Sequence, residues 1–217
     1  MTLRSCIPIL LALLSLPAQA ALTTYNDAAG LIANGGKQIR YDFEIASGFP
    51  TGNYDPTLSL IGARDGIQFD AITIRPNLAP VSGSQAMSGA DGVYSAARLD
   101  FSALSRPVIG FGFYGQDLTI GESIRVSADF RLAGQQIFDV RLDGAPELTP
   151  IYFGAYDAND AIRSLSFTGI DDSGNNRAWY IDDLSLISAA VPLPPALPLF
   201  LGGLLLLSRF RSKSAGR

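Results

Sequence analysis

The chain is 217 residues long, carries a formal net charge of −4, and contains no histidine and a single cysteine. The missing histidine excludes Ser–His–Asp and Cys–His catalysis and zinc sites built on imidazole. All 20 acidic residues lie between residues 21 and 190, whereas Arg4, Arg209, Arg211, Lys213 and Arg217 lie outside that span. The middle is therefore more acidic than the whole, and a surface of that sign repels phosphate backbones, which argues against nucleic acid as a partner.

Residues 1–20 have the pattern of a secretory signal peptide. Arg4 supplies the positive start, Cys6 to Leu16 is apolar apart from Ser15, and Pro17 breaks the helix. Ala18-Gln19-Ala20 is then the small-x-small site that signal peptidase reads. The apolar stretch is too short for a first membrane span. Cys6 falls inside the segment to be removed, so the exported chain is expected to form no disulfide and to depend on a packed core. Residues 21–190 have the length of one domain with a sizeable core.

Within that domain the first expected element is a short helix from Asn26 to Ala33, with Thr24 or Asn26 as N-cap and Gly35 as its stop. Strands are expected over Ile39–Phe43, Ile67–Arg75, Ala97–Phe101 and Val108–Tyr114. Ile124, Val126, Ala128 and Phe130 alternate with Ser123, Arg125, Ser127 and Asp129, the period of a strand with one buried face. Phe138, Val140 and Leu142 continue that alternation after Ala133-Gly134, so Ser123 to Leu142 reads as a hairpin. Ile151–Tyr156, Ser164–Thr168 and Trp179–Ile187 complete the set. Gly35-Gly36, Asp65-Gly66, Asp91-Gly92, Asp143-Gly144 and Ser173-Gly174-Asn175-Asn176 are the expected turns. Strands without intervening helices build antiparallel sheets packed face to face. The expected fold is therefore all-β, an antiparallel β-sandwich of jelly-roll type, with a closed barrel as the alternative.

Gly110 and Gly112 share one face of Val108–Tyr114 and Phe111 and Phe113 the other. Such glycines mark a close approach, by a ligand or by a packed aromatic, and the second reading is favoured. Trp179 and Tyr180 beside Arg177, and Tyr54 beside Gly52-Asn53, lie near turns and suit sugar stacking, although Trp179 heads an apolar strand and reads better as core. No Gly-x-Ser-x-Gly elbow, phosphate loop or dinucleotide fingerprint occurs. A glycosidase pair needs only Asp and Glu and is the one catalytic chemistry left open, with nothing beyond the number of carboxylates behind it. Asp42 and Glu44, two apart on the first long strand, share a face, and Asp182 and Asp183 lie on the last strand. These two places resemble those where jelly-roll carbohydrate-binding modules hold a structural calcium ion, so calcium is a candidate cofactor, with hydrogen bonding to a neighbouring loop as the plainer reading.

From Val191 to Ser208 no side chain ionises, and Arg209, Arg211 and Lys213 follow at once, which places this flank in the cytoplasm. A helix from Ala196 to Ser208 is about 20 Å long at 1.5 Å per residue, short of a hydrocarbon core of roughly 30 Å. Pro192, Pro194, Pro195 and Pro198 keep its start extended. In order and position, Val191-Pro192-Leu193-Pro194-Pro195-Ala196, the Gly202-Gly203-containing apolar run and the basic end resemble the PEP-CTERM sorting signal in its VPLPA form, with Pro195 where that form usually has Ala. The resemblance covers only residues 191–217, divided into a motif at 191–196, a span at 196–208 and a basic end at 209–217. It implies an exosortase substrate, exported by way of an inner-membrane-anchored precursor with a periplasmic ectodomain, then sorted to the outer surface or beyond. A plain C-terminal anchor is the alternative. The function expected of such a protein is a structural or adhesive component associated with exopolysaccharide, with a lectin-like module as the alternative and a carboxylate glycosidase behind both.

Overall fold

The computed structural model describes residues 22–34, 36–44, 51–54, 63–64, 66–76, 81–89, 96–116, 122–141 and 149–189. The signal segment, the sorting motif, the expected span and the basic end lie outside those residues, as do Gly35, Asp65, Asp91-Gly92 and Asp143-Gly144. Among the described residues no helix is long and apolar enough to cross a membrane.

Every strand pairing is antiparallel. The strands are β1 (Thr23–Tyr25), β2 (Lys37–Tyr41), β3 (Gly52–Tyr54), β4 (Ala63–Arg64), β5 (Ile67–Asp70), β6 (Ile72–Pro76), β7 (Gln85–Gly89) and β8 (Ala97–Asp100). They continue as β9 (Val108–Gln116), β10 (Glu122–Phe130), β11 (Gly134–Arg141), β12 (Ile151–Tyr156), β13 (Ile162–Asp171), β14 (Asn176–Arg177) and β15 (Tyr180–Ser188). One layer runs β1–β12–β9–β15, and β2 and β7–β6–β3 share the far edge of β15. The other runs β11–β10–β13–β8–β5–β4. The single pair Ile162–Val108 joins them into one hydrogen-bonded set.

Apolar faces of the two layers meet in a shared core. Phe113 of β9 contacts Phe167 of β13 edge to face at 5.4 Å between ring centroids, and Phe138 of β11 lies 5.3 Å from Phe153 of β12. Trp179 is fully buried and stacks on Phe167, so it is a core residue and no sugar platform. The side chains of Gly52–Tyr54 lie outside the described ones.

The expected strand Ile67–Arg75 is two strands. β5 pairs with β8 in one layer and β6 with β7 in the other, and the chain crosses at Ala71, whose φ is +52°. Buried Ile67 and Phe69 precede the crossing and buried Ile72 and Ile74 follow it, so the alternation changes phase there. The helix α1 is shorter than expected, Ala28–Ile32, and its N-cap is Asp27, whose Oδ1 accepts the Gly30 N–H at 2.7 Å. Asn34 closes its other end by donating to the Gly30 carbonyl.

α1 lies over a second, smaller core on the outer side of β9 and β12, where Leu31, Ile109, Tyr152 and Ile187 pack together. Gly110 and Gly112 make room for this layer. A Cβ on Gly112 would overlap the Tyr152 hydroxyl and come within 2.7 Å of Leu31 Cδ2, and one on Gly110 would meet the Tyr156 ring at 2.9 Å. The close approach is that of a packed aromatic, the reading the sequence favoured.

Gly112→Ala should therefore cost about 1–3 kcal/mol by overpacking. Tyr152→Phe in the same chain should return part of that, since the hydroxyl it removes is buried without a hydrogen-bond partner. Urea unfolding of the three variants measures both effects; an unperturbed Gly112→Ala protein would contradict the packing.

Candidate functional site

Two polar regions stand out, and the first is the acidic seam. β15 pairs with β2 from Leu184 to Ser188 and with β7 at Ile181, so its edge passes from one partner to the other at Asp182-Asp183. The ladder with β9 shifts register there, and Asp183 (φ +50°) and Phe43 (φ +56°) both take the left-handed conformation. Asp42 and Glu44 lie beyond the end of β2, and the turn at Phe43 replaces the alternation expected of them.

Three of these carboxylates, Glu44, Asp182 and Asp183, bond to residues 81–85, whereas Asp42 bonds to the Glu44 N–H. Asp182 Oδ2 accepts the N–H groups of Val81 and Ser82, both at 2.9 Å, and its Oδ1 accepts that of Asp183 at 2.7 Å. Asp183 accepts the Ser82 hydroxyl and holds the Arg40 guanidinium through both oxygens, the shorter contact being 2.6 Å. Glu44 Oε1 accepts the N–H groups of Ser84 and Gln85, and Asp42 accepts that of Glu44. A calcium ion needs six to eight oxygens turned toward one point. Here the oxygens are turned to N–H groups and a guanidinium, and no group of three or more His, Cys, Asp or Glu among the described residues is arranged to hold a metal ion. The donor set fits a loop clamp and does not fit calcium.

Burial pushes the Asp182 carboxyl up to about 6, with Asp183 adding to the rise and the amides of Ser82, Asp183 and Val81 opposing it. Arg40 is held above its ordinary value by its hydrogen bond to Asp183.

The second region is the outer face of the layer built on β13. Ser166 and Thr168 point away from the core side of Leu165 and Phe167. Register sets Arg98 of β8 and Ser127 of β10 on either side of Ser166, and Arg125 beside Thr168. Beyond β8 stand Gln68 and Asp70, opposite Asp100 and Arg98; beyond β10 stand Gln135, Ile137 and Asp139. Short Ser166 and Thr168, flanked by Arg98 on β8 and by Arg125 and Asp129 either side of Ser127 on β10, leave a trough along β13. A cleft of about 400 Å³, lined by Gln68, Asp70, Arg98, Asp100, Ser102 and Ala103, opens at one side of it.

Among the described residues most charges on this face are matched, Asp70 being the exception. Arg125 clasps Asp139 through two contacts at 2.7 and 2.8 Å, Arg98 meets Asp100 at 3.3 Å, and Arg163 lies 3.8 Å from Asp129. Hydrogen bonding to Ser102, with Arg98 assisting, holds Asp100 below the usual carboxylate range, and Arg125 does the same for Asp139. No aromatic ring of the described residues is among the large exposed apolar side chains, but Ile137, 57% exposed, is one and lies on this face. A wider opening of about 500 Å³ lies on the other layer between β2 and the 104–106 turn, with Lys37 and Arg106 in its wall.

No family model and no curated protein matches the chain. Among solved structures it is similar to the CBM22-1 xylan-binding domain from Paenibacillus barcinonensis Xyn10C, at 13% identity over 73% of this chain and 98% of that one, TM-score 0.40. It is also similar to a ligand-recognition mutant of the family 29 carbohydrate-binding module CBM29-2, at 16% identity over 73% and 99%, TM-score 0.36. An exo-β-1,3-galactanase from Phanerochaete chrysosporium matches at 13% identity over 77% of this chain and 29% of its own length, TM-score 0.35. Similarity at this level transfers neither residues nor ligands.

The seam yields a signed pH prediction. The folded Asp182 carboxyl titrates above the ordinary aspartate value, so its contribution is complete below about pH 4 and is lost as pH rises through about 6. The loss is on the order of 3 kcal/mol. Asp182→Asn cannot ionise, so its cost relative to the parent should shrink between pH 4.5 and pH 7 when both are followed by calorimetry. A cost that grows with pH would mean that the three amides outweigh burial. The parent's melting temperature should be the same in calcium and in chelator, and a rise of several degrees with calcium would restore the metal reading.

Proposed function

We propose that the chain is an exported, non-catalytic domain of jelly-roll type that contacts polysaccharide at the cell surface or in the extracellular matrix. The observation that carries this reading is the outer face of the β13 layer, a trough of short hydroxyl side chains between charge-matched walls. Polar groups already held in place bind a polyol with little loss of side-chain freedom. Several of the carboxylates hold backbone amides: Asp160 accepts the Leu132 and Ala133 N–H groups, Asp171 those of Ser173 and Asn175, and Asp182 those of Val81 and Ser82. Contacts made by hydrogen bonds without ring stacking suit adhesion, where many weak contacts act together.

Export and sorting complete the proposal. Signal peptidase cuts after Ala20, the short apolar run from Ala196 to Ser208 anchors the precursor with Arg209, Arg211 and Lys213 inside, and an exosortase acts at Val191–Ala196. Prolines that keep this motif extended present it to a protease-like site.

Residues 21–190 on a glycan array should retain a subset of polysaccharides and release no sugar from them. Uniform failure to bind would leave a purely structural domain, and hydrolysis lost with one Asp–Glu pair would make it an enzyme. Pro192→Ala with Pro194→Ala should block processing, read by mass spectrometry as a C-terminus still ending at Arg217. A mature C-terminus unaffected by these changes would remove the sorting reading.

A further inference from the structure

Resting on the carbohydrate-contacting role just proposed, the side-chain pattern of the β13 face specifies the class of chain it takes. We propose that one uncharged, unbranched polysaccharide strand lies along β13, over Ser166 and Thr168, between a wall formed by Arg98 and Asp100 and a wall formed by Arg125 and Asp129.

Width comes first. The walls belong to the two neighbours of β13, and strands pair at about 4.8 Å, so the walls stand about 10 Å apart. That admits a single sugar chain and leaves no room for branches at the floor. The floor is polar and low, because both side chains facing out of β13 here are hydroxyl residues of small size.

Charge decides the class. Each side carries a cation already paired with a carboxylate, Arg98 with Asp100 along β8 and Arg125 with Asp139 across β10–β11. A polyanion would have to break these pairs and would also approach a domain whose excess charge is negative. An uncharged polyol breaks none of them: ionised carboxylates accept its O–H groups and guanidinium N–H groups donate to its ring and hydroxyl oxygens, bonds stronger than those between neutral groups. Gln68 and Asp70 make no side-chain hydrogen bond among the described residues and stand in the cleft beside Asp100. They therefore supply a free amide and a free carboxylate for a sugar emerging over that wall. Ile137, level with Ser127 across β10–β11, offers an apolar contact for sugar C–H groups on the opposite side.

The pairing also fixes the pH behaviour. Asp100, bonded to Ser102, and Asp139, paired with Arg125, are both held below the usual carboxylate range, so these two carboxylates stay ionised from neutral to mildly acid solution. Binding should then vary little across that interval, unlike the stability set by Asp182.

The test uses the exported protein as isolated from cells, with cellohexaose, xylohexaose and mannohexaose as neutral probes, oligogalacturonate as the anionic one and a chitosan oligomer as the cationic one. Calorimetric titration should show binding to at least one neutral hexasaccharide and weaker binding to both charged probes. Ser166→Arg, which fills the trough at an outward position, should weaken that binding by about tenfold or more, the loss of one or two hydrogen bonds to charged groups, with the melting temperature kept. Lys37→Ala, on the other layer, should bind as the parent does. Tighter binding of oligogalacturonate or chitosan, or Ser166→Arg binding as the parent while folded, would overturn the trough and leave the carbohydrate role standing. No binding to any probe or to the array would overturn both.

Discussion

A carboxylate with no exposure to solvent, Asp182, sits where the edge of β15 passes from β2 to β7, and the arrangement of the first layer follows from it. Three backbone N–H groups end on its two oxygens, two of them from the segment that leads into β7. Unpaired, each would cost about 1–3 kcal/mol in that position. The same device recurs along the chain. Asp160 holds the β10–β11 turn to the loop before β13, Asp171 holds the turn before β14, and Glu44 holds the start of β7. With Cys6 the only cysteine in the sequence, turns are tied to the sheets by carboxylates accepting amides, while the aromatic core joins the layers. Acidity that looks like a solubility or metal-binding feature in the sequence is in good part backbone hydrogen bonding.

Alternation exposed most of this fold before any coordinates. The β10–β11 hairpin, β9, β12 and β15 follow from apolar residues two apart, and the glycines of β9 announced a packed aromatic. Other parts were hidden for identifiable reasons. β7 is Gln-Ala-Met-Ser-Gly, buried on both faces without an apolar period, so it gave no signal. The β5–β6 break did leave one, the phase change between Phe69 and Ile72, which a search for continuous strands passes over. The N-cap is Asp27 instead of Thr24 or Asn26, a one-residue difference from Asn26 decided by which side chain reaches the Gly30 N–H. At the seam, the pairing of β2 with β15, the first and last long strands, is what the sequence order suggests. The amides that Glu44 and Asp182 accept, at residues 81–85, are about forty to a hundred residues away and carry only a Ser-Gly-Ser sequence. The polar face was half legible: Ser123, Arg125, Ser127 and Asp129 read as an outward row, but the register that sets them beside Ser166 and Arg98 comes only from the folded sheet.

In the proposed reading, stability and recognition fall to different carboxylates. Buried Asp182 and Asp160 are committed to amides, whereas Asp100 and Asp139 lie at the surface, charged and paired, where a ligand's hydroxyl groups can reach them. Such a division would let one acidic domain hold its turns without disulfides and still present a locally balanced surface to the proposed uncharged polymer. Backbone amide NMR during titration with a neutral oligosaccharide tests that division most directly. Shifts concentrated on residues 98–100, 125–129 and 164–168, with Val81, Ser82 and Asp183 unmoved, are the predicted result. Shifts confined to the opening beside Lys37 and Arg106, or to the 81–85 segment, would contradict it.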